Sequence, residues 1–372
     1  MKALAVFPGT NEIRVIEDHP EPHLATATQV KLRMLDVGIC GTDKEICHFD
    51  YGTPPAGSPY LVLGHESLGE VVEVGVEVSG LKVGDLVVTM VRRPCEDPAC
   101  FACRNGRQDF CLTGNFKERG IKEYHGFMTE FVVDEAKYMF PVPAELREFG
   151  VLTEPLTIAE KALTELMQIQ QRMPWGCPVQ PGQAPQYCHN AIVLGAGPVG
   201  LLGAMALVNT GFKTYVYSRE PEGSEKAKLV ASIDCTYVSG ETHNVEQLAG
   251  VVGQVDVVYE ATGASGLSFE MIKYLGTNGV FIFTGVPGRK HPIEVDTDVI
   301  MRNLVLKNQV VFGSVNAGRD AYTAAIKDLG DFAKKWPAAV KSLITGHYQL
   351  DNFKDLLLGN PPGIKNVMQI GT

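Results

Sequence analysis

This chain lacks a run of apolar residues long enough to cross a membrane, and it lacks a basic cluster. Charged residues make up 20% of its 372 positions, with 33 basic against 43 acidic, a formal net charge of −10. An acidic balance repels phosphate backbones, so nucleic-acid binding is not expected. Met1 to Phe7 carries one lysine and a short apolar stretch before Pro8. That is too short for an export signal and reads as a first strand. No internal repeat or low-complexity tract is visible. What remains is a globular composition, 45% hydrophobic, in a chain long enough for two or more domains.

Cysteine is plentiful: Cys40, Cys47, Cys95, Cys100, Cys103, Cys111, Cys177, Cys188 and Cys235. The count is odd and four of them crowd together. That pattern favours metal binding in a reducing compartment over a disulfide framework, and a cytoplasmic location is expected. Cys95-x4-Cys100-x2-Cys103-x7-Cys111 places four thiolates on a short loop. Four thiolates fit a closed tetrahedral zinc site that contributes folding energy and no reactivity. Cys47, Cys177, Cys188 and Cys235 have no partner at metal spacing and read as structural.

Residues 1 to about 140 read as mostly β. Val30–Met34 and Gly69–Val74 alternate in polarity, and Gly84-Asp85 turns the chain into the apolar run 86–91. Residues 154–172 read as a helix with Leu156, Ala159, Ala162, Leu163 and Leu166 on one stripe. The stretch 173–185 carries four prolines and two glycines, which marks a linker or surface loop. From 190 the texture alternates between β and α. Strands are expected at 191–194, 214–217, 255–260 and 280–283, with an apolar helix at 198–209, as in a doubly wound parallel sheet. The last 60 residues are expected to fold back onto the first domain. The division is therefore 1–187 with 313–372 as a catalytic domain carrying a cysteine lobe at 94–112, and 188–312 as a dinucleotide-binding domain.

The turn Gly195-Ala196-Gly197-Pro198-Val199-Gly200 lies between an expected strand and an expected helix. Gly195 suits the tight turn, Gly197 a close approach of pyrophosphate, and Gly200 close helix–strand packing. The helix N-terminus then faces phosphate charge. At the end of the next strand, Ser218 and Arg219 offer a hydroxyl and a guanidinium, which suit a 2′-phosphate. Glu220 follows and suits a ribose 2′-hydroxyl. NADP is expected, and NAD as well.

Cys40 stands in Gly38-Ile39-Cys40-Gly41-Thr42-Asp43, and His65 and Glu66 follow Gly64. A thiolate, an imidazole and a carboxylate are zinc ligand types, and three protein ligands with one open position describe a catalytic site. Neighbours on a regular strand point to opposite faces. His65 and Glu66 can both ligate if the backbone bends there; otherwise Glu66 supports the site or alternates as a ligand. Glu154, at a helix start before Pro155, either completes the site or holds the metal-bound water. Zinc and a nicotinamide in one chain point to oxidation of an alcohol.

With those residues in hand, the chain resembles the zinc-dependent medium-chain alcohol dehydrogenases over nearly its whole length. Its glucose 1-dehydrogenase branch, best known from archaea, is the nearest likeness. The matching segments are Val91-Arg92-Arg93-Pro94, Gly106–Cys111, His125-Gly126-Phe127-Met128, Leu152–Leu156 and Gly313-Ser314-Val315-Asn316. The resemblance implies a GroES-like β-barrel domain plus a Rossmann domain. It implies one catalytic zinc on Cys40, His65 and Glu66, with Glu154 on the zinc or its water, and a second, structural zinc. It further implies substrate contacts from Thr42, Glu118, Glu154 and Asn316, with Asn316 meeting sugar or nicotinamide. The implied reaction is oxidation of β-D-glucose, and of galactose or other aldoses, at the anomeric carbon to a lactone, in a homo-tetramer or homo-dimer.

The chain departs from that pattern in four places. The first gap of its cysteine loop is two residues longer, a small change because loop closure costs rise slowly with length. Val91 stands where some members carry asparagine, Glu220 where some carry a second arginine, and the stretch 173–185 matches nothing in the family. For the released proton, Thr42 is one route, and Glu66 or Glu154 through water are others; Thr42 also suits a helix-capping role. Without the resemblance Glu118 reads as a solvated charge and Asn316 as turn chemistry. A polyol or threonine dehydrogenase on the same scaffold is the nearest rival reading. A non-catalytic NADPH-binding sensor is the remote one; a sensor needs no open metal site.

Overall fold

The computed structural model describes residues 1–177, 188–288 and 292–371. By compactness the chain forms two units. One comprises Met1–Thr157, Asn316–Lys334 and Val340–Thr372; the other comprises Ile158–Val315 and Lys335–Ala339. The division falls inside the helix Thr153–Gln170, thirty residues before the 187/188 boundary expected from the proline-rich stretch. Of that stretch, 178–185 lies outside the described residues. The helix contributes residues to both units, which composition alone does not mark.

The first unit is built around one long strand, Gln29–Gly38. It pairs antiparallel with Glu66–Val74, with Phe131–Glu135 and with Lys365–Gln369. Lys365–Gln369, 327 residues downstream of Gly38, thereby places the end of the chain in the first unit's sheet. The expected alternation over 30–34 is muted, because Lys31 is buried too, its ammonium 2.5 Å from Glu21 Oε1. Leu32, Met34, Val37, Leu63, Phe127 and Met128 are central to this unit's core.

Three buried charges brace the same unit. Asp134 receives Arg119 Nε (3.0 Å) and Nη2 (2.8 Å), and also Arg93 Nη2. Arg93 Nη1 donates to Met90 O, and Arg119 Nη2 to Val133 O, each at 2.7 Å. Burial alone would raise the Asp134 carboxyl, but the two guanidiniums outweigh it and hold it below its ordinary value. Removing one partner of such a cluster strands uncompensated charge. Asp134→Asn is expected to cost about 3–5 kcal/mol of unfolding free energy, read from urea denaturation. A depressed carboxyl contributes stability above its unfolded pKa and loses it as pH falls through the folded one. The native protein should therefore lose stability below about pH 4, and the variant should show a flatter acid limb. An unchanged urea midpoint would mean that the cluster is not coupled to global folding.

The second unit carries a six-stranded, all-parallel sheet. Its spatial order is Thr236–Ser239, Lys213–Ser218, Asn190–Leu194, Val257–Glu260, Val280–Phe283, Val310–Gly313. In chain order that is 3-2-1-4-5-6, the dinucleotide-binding arrangement, whose switch point lies between Asn190–Leu194 and Val257–Glu260. The helix Pro198–Asn209 follows the first of these strands, and Gly200–Leu207 is buried throughout. Among the described residues, no helix is long and apolar enough to cross a membrane.

One expectation about cysteine is corrected. Cys177 and Cys188 form a disulfide, at a separation of 11 residues. Their spacing suits no metal, and the odd total argued against pairing. What the count could not reveal is that the two thiols meet, next to the stacked rings of Trp175 and His189. Cys47 and Cys235 are free and buried.

Candidate metal and dinucleotide sites

Cys40, His65 and Glu66 converge, with their ligand atoms all within 4.8 Å of one another. Three local features bring them together. Cys40 precedes the helix Gly41–Cys47, and its backbone N–H donates to Asp43 Oδ2 (2.9 Å). Gly64 bends the chain at φ +90°, and a Cβ there would meet Val37 and Met128 at under 3 Å. His65 therefore precedes the strand Glu66–Val74 rather than lying within it, and the opposite-face rule does not apply to the pair. A Cβ at residue 38 would lie 2.1 Å from Glu66 Oε2, so Gly38 is needed for the carboxylate to seat.

Two residues that sequence reasoning missed complete the surroundings. Asp43, fully buried, places Oδ1 3.3 Å from His65 Nδ1, which leaves Nε2 for coordination. Lys365 is also buried; its ammonium pairs with Glu66 Oε2 and donates to Ile39 O at 2.8 Å. Asp43 was legible as a carboxylate three residues after Cys40. Lys365 carries no sequence signal, since its partner lies 299 positions away. Burial alone would lower the His65 pKa, but Asp43 and Cys40 raise it well above the ordinary value. The surroundings favour positive charge at that ring. A thiol, an imidazole and a carboxylate around one point, with the imidazole oriented from behind, fit zinc.

Glu154 is not in the three-residue group. It sits in the first turn of Thr153–Gln170, and its backbone carbonyl accepts from Thr157 Oγ1 (2.5 Å). Burial, with Glu66 adding to it against His65 and Lys365, pushes its carboxyl up to about 7. Thr42 Oγ1 lies 4.0 Å from Cys40 Sγ, on the first turn of the helix. Glu118 and Asn316, 198 residues apart, meet: Asn316 Nδ2 donates to Glu118 Oε1 at 3.0 Å. Arg92 Nε donates to the same oxygen at 3.0 Å, because Arg92 and Glu118 are cross-strand partners. Glu118 is 5% exposed, not a solvated charge. Asn316 has φ +58°, so the turn chemistry is real, and its side chain nevertheless reaches Glu118. Arg92 is the further polar residue here that the sequence reading did not single out.

Cys95, Cys100, Cys103 and Cys111 form the second convergent group. Burial raises the Cys111 thiol, but hydrogen bonds from Thr113 and the neighbouring cysteines outweigh it and bring it down to about 6. The Cys111 thiolate is thus accessible near neutrality, while burial raises the Cys103 thiol.

In the second unit, Gly195 follows the strand Asn190–Leu194 at φ +106°, a conformation that favours glycine. A Cβ on Gly200 would lie 2.1 Å from Gly195 O, so glycine there is required for the helix to close on the turn. A Cβ on Gly197 would meet nothing within 4 Å; that open side is where a pyrophosphate can approach the backbone. Gly195, Ala196 and Gly197, with Ser218, Arg219 and Glu220, line a cavity of about 780 Å³. Pro198 and Val199 open the helix Pro198–Asn209. The turn, the cavity and the phosphate-ready end of Lys213–Ser218 fit a dinucleotide.

The opposite wall of that cavity hangs on Glu260, which is fully buried. Its Oε1 accepts from Thr262 N (2.6 Å), Thr262 Oγ1 (2.6 Å) and Gly263 N (2.8 Å), and its Oε2 from Gly285 N (3.2 Å). A carboxylate is needed because every partner is a donor. Glu260→Gln turns an amide N–H toward one of them. We expect NADP affinity to fall about tenfold, as measured by titrating bound-NADPH fluorescence. Unchanged affinity would mean that the 261–264 loop holds its shape without the charge.

The family model for the alcohol dehydrogenase GroES-like domain matches residues 26–144, and that for the glucose dehydrogenase C-terminus matches 147–370. A glucose 1-dehydrogenase of Methanocella arvoryzae is 37% identical over 100% of both chains. Glucose 1-dehydrogenase 2 of Vulcanisaeta moutnovskia is 38% identical, over 100% of this chain and 99% of its own. The glucose dehydrogenase of Haloferax mediterranei, solved in complex with NADP, Zn and gluconolactone, has a TM-score of 0.87 at 32% identity, covering 100% of both chains. The chain belongs to the zinc-dependent medium-chain dehydrogenases, in the glucose dehydrogenase family.

Proposed function

We propose that this chain oxidises D-glucose at the anomeric carbon to the aldono-1,5-lactone, with NADP or NAD as hydride acceptor, and that D-galactose or other aldoses are also substrates. The observation that carries this reading is the convergence of Cys40, His65 and Glu66 in a chain whose full-length relatives are glucose 1-dehydrogenases. Cys40, His65 and Glu66 would hold the catalytic zinc, with Glu154 beside it, and Cys95, Cys100, Cys103 and Cys111 a structural one. When bound, zinc supplies Lewis acidity toward the sugar hydroxyl, and the nicotinamide accepts a hydride.

The chain's own residues do the rest. Asp43 orients His65, and Lys365 restrains Glu66, so the ligands keep their geometry through turnover. Glu154, poised near neutrality, takes up the sugar's proton directly or through water, and Thr42 offers a hydroxyl relay beside Cys40. Glu118, braced by Arg92, and Asn316 present a fixed acceptor and donor pair to sugar hydroxyls. A homo-dimer or homo-tetramer is the proposed assembly. It is supported by exposed Met301, Val305 and Leu306 on the helix Thr297–Leu306, beside the sheet's edge strand Val310–Gly313. Cytoplasmic residence is proposed from the free thiols of the two clusters.

Initial rates of NADP and NAD reduction on glucose, galactose, xylose, sorbitol and threonine test the reading. Glucose is expected to give the highest kcat/KM. Faster sorbitol or threonine oxidation would move the chain to a polyol or threonine dehydrogenase. No reduction with any of them would leave a nucleotide-binding protein.

A further inference from the structure

The end of the strand Lys213–Ser218 carries a conflict of charge. Arg219 is exposed, and no ion pair to it is formed among the described residues. Glu220 beside it is engaged on both oxygens: Ser218 Oγ donates to Oε2, and Lys226 Nζ, from the helix Glu225–Ser232, donates to Oε1. The Glu220 backbone carbonyl accepts from Tyr237 Oη (2.7 Å) and Ser239 Oγ (2.8 Å), which pins the residue in place. All four of Ser218, Arg219, Glu220 and Lys226 line the cavity of the dinucleotide turn.

Ser218 and Lys226 are the hydroxyl and the ammonium that a 2′-phosphate would need, and both already donate to a carboxylate. A phosphate monoester brings about −1.5 to −2 charges and three acceptor oxygens. Glu220 brings one charge and two oxygens. The side chains of Glu220 and Lys226 are 32% and 28% exposed, so the carboxylate can rotate into water without a burial penalty. With an unphosphorylated ribose there is nothing to displace it, and it accepts the 2′-hydroxyl.

We propose that Glu220 is a built-in competitor of the cofactor's 2′-phosphate, and that Lys226 is the cation over which the two compete, so that one pocket takes both NADP and NAD. The inference rests on reading this cavity as the dinucleotide site. Displacing Glu220 weakens the advantage of NADP, and keeping it retains a ligand for NAD. A sequence window that stops at residues 218–220 sees an ambiguous hydroxyl, cation and acid; Lys226, in the first turn of the next helix, is what gives them an order.

Calorimetric titration of the full-length protein with 2′,5′-ADP and with 5′-AMP separates the terms. Lys226→Met is expected to weaken 2′,5′-ADP by about tenfold or more and to change 5′-AMP by less than about twofold; Lys226→Arg should restore 2′,5′-ADP. Glu220→Gln is expected to tighten 2′,5′-ADP by about fivefold and to weaken 5′-AMP. In the Glu220→Gln background, Lys226→Met should cost more than in the native chain, because the competing carboxylate is gone. Equal changes for both ligands, or an unmoved ratio in Glu220→Gln, overturn the proposal. If the native protein binds neither ligand, the dinucleotide reading itself fails, and this proposal with it.

Discussion

Cys40→Ser and His65→Ala are each expected to lower zinc content from two ions per chain toward one, matching the loss of one of the two convergent groups. Turnover should fall by at least about a thousandfold, since the Lewis acid contributes several kcal/mol to the transition state. The fold should survive. The helix Gly41–Cys47 keeps its start, because the bond from the residue 40 backbone N–H to Asp43 Oδ2 does not use the cysteine sulfur. His65 stands outside a strand, so its truncation breaks no ladder. Metal analysis by mass spectrometry, kcat on glucose and thermal unfolding together decide the matter. Full activity with one zinc per chain would refute the assignment of the site.

Cys103→Ser is expected to act on stability instead. The loop from Cys95 to Cys111 contains one four-residue helix, Phe101–Arg104, and one short turn, Gln108–Phe110. Its buried apolar cluster consists of Cys95, Cys100, Ala102 and Cys103, with Cys111 against it. Its larger apolar side chains, Phe101 and Phe110, and Leu112 just after it, point outward at 59%, 46% and 61% exposure. A lobe whose interior is its own thiols has no hydrophobic core to fall back on. Structural zinc supplies about 10–16 kcal/mol in small peptide sites, and a loop this poor in core depends on a similar term. Limited proteolysis should cut between 95 and 111 at least about tenfold faster in Cys103→Ser, or in native protein stripped by a chelator. Zinc should again fall to one per chain, this time from the other group. A lobe as resistant as the native one after loss of its zinc would show that the metal contributes nothing to its order.

Both convergent groups were legible because their side chains announce themselves by type and by short spacing. The four-cysteine lobe needs no long-range information: all of its ligands lie within 17 residues. Cys40 and His65-Glu66 were legible through chemical type, with Gly64 supplying the bend that lets two neighbours serve one site. The glycine turn was legible because Gly195 and Gly200 answer local steric demands, and Gly200 against Gly195 O shows how strict that demand is. Glu118 was less so. Its loop is polar, and only pairing with Arg92 and Asn316 buries it. Lys365 and the Cys177–Cys188 disulfide were not legible at all.

Local sequence therefore pointed to the candidate ligand types, the dinucleotide turn and the alternating β and α segments of the parallel sheet, because backbone sterics and short loops act over a few residues; the order of its six strands came from the fold. Tertiary structure decided which charges are buried in pairs: Lys365 with Glu66, Arg92 with Glu118, Arg93 and Arg119 with Asp134. A charge at one position carries no record of its partner. Desolvation makes that partner obligatory once the chain has folded, and it is the fold that brings the two together.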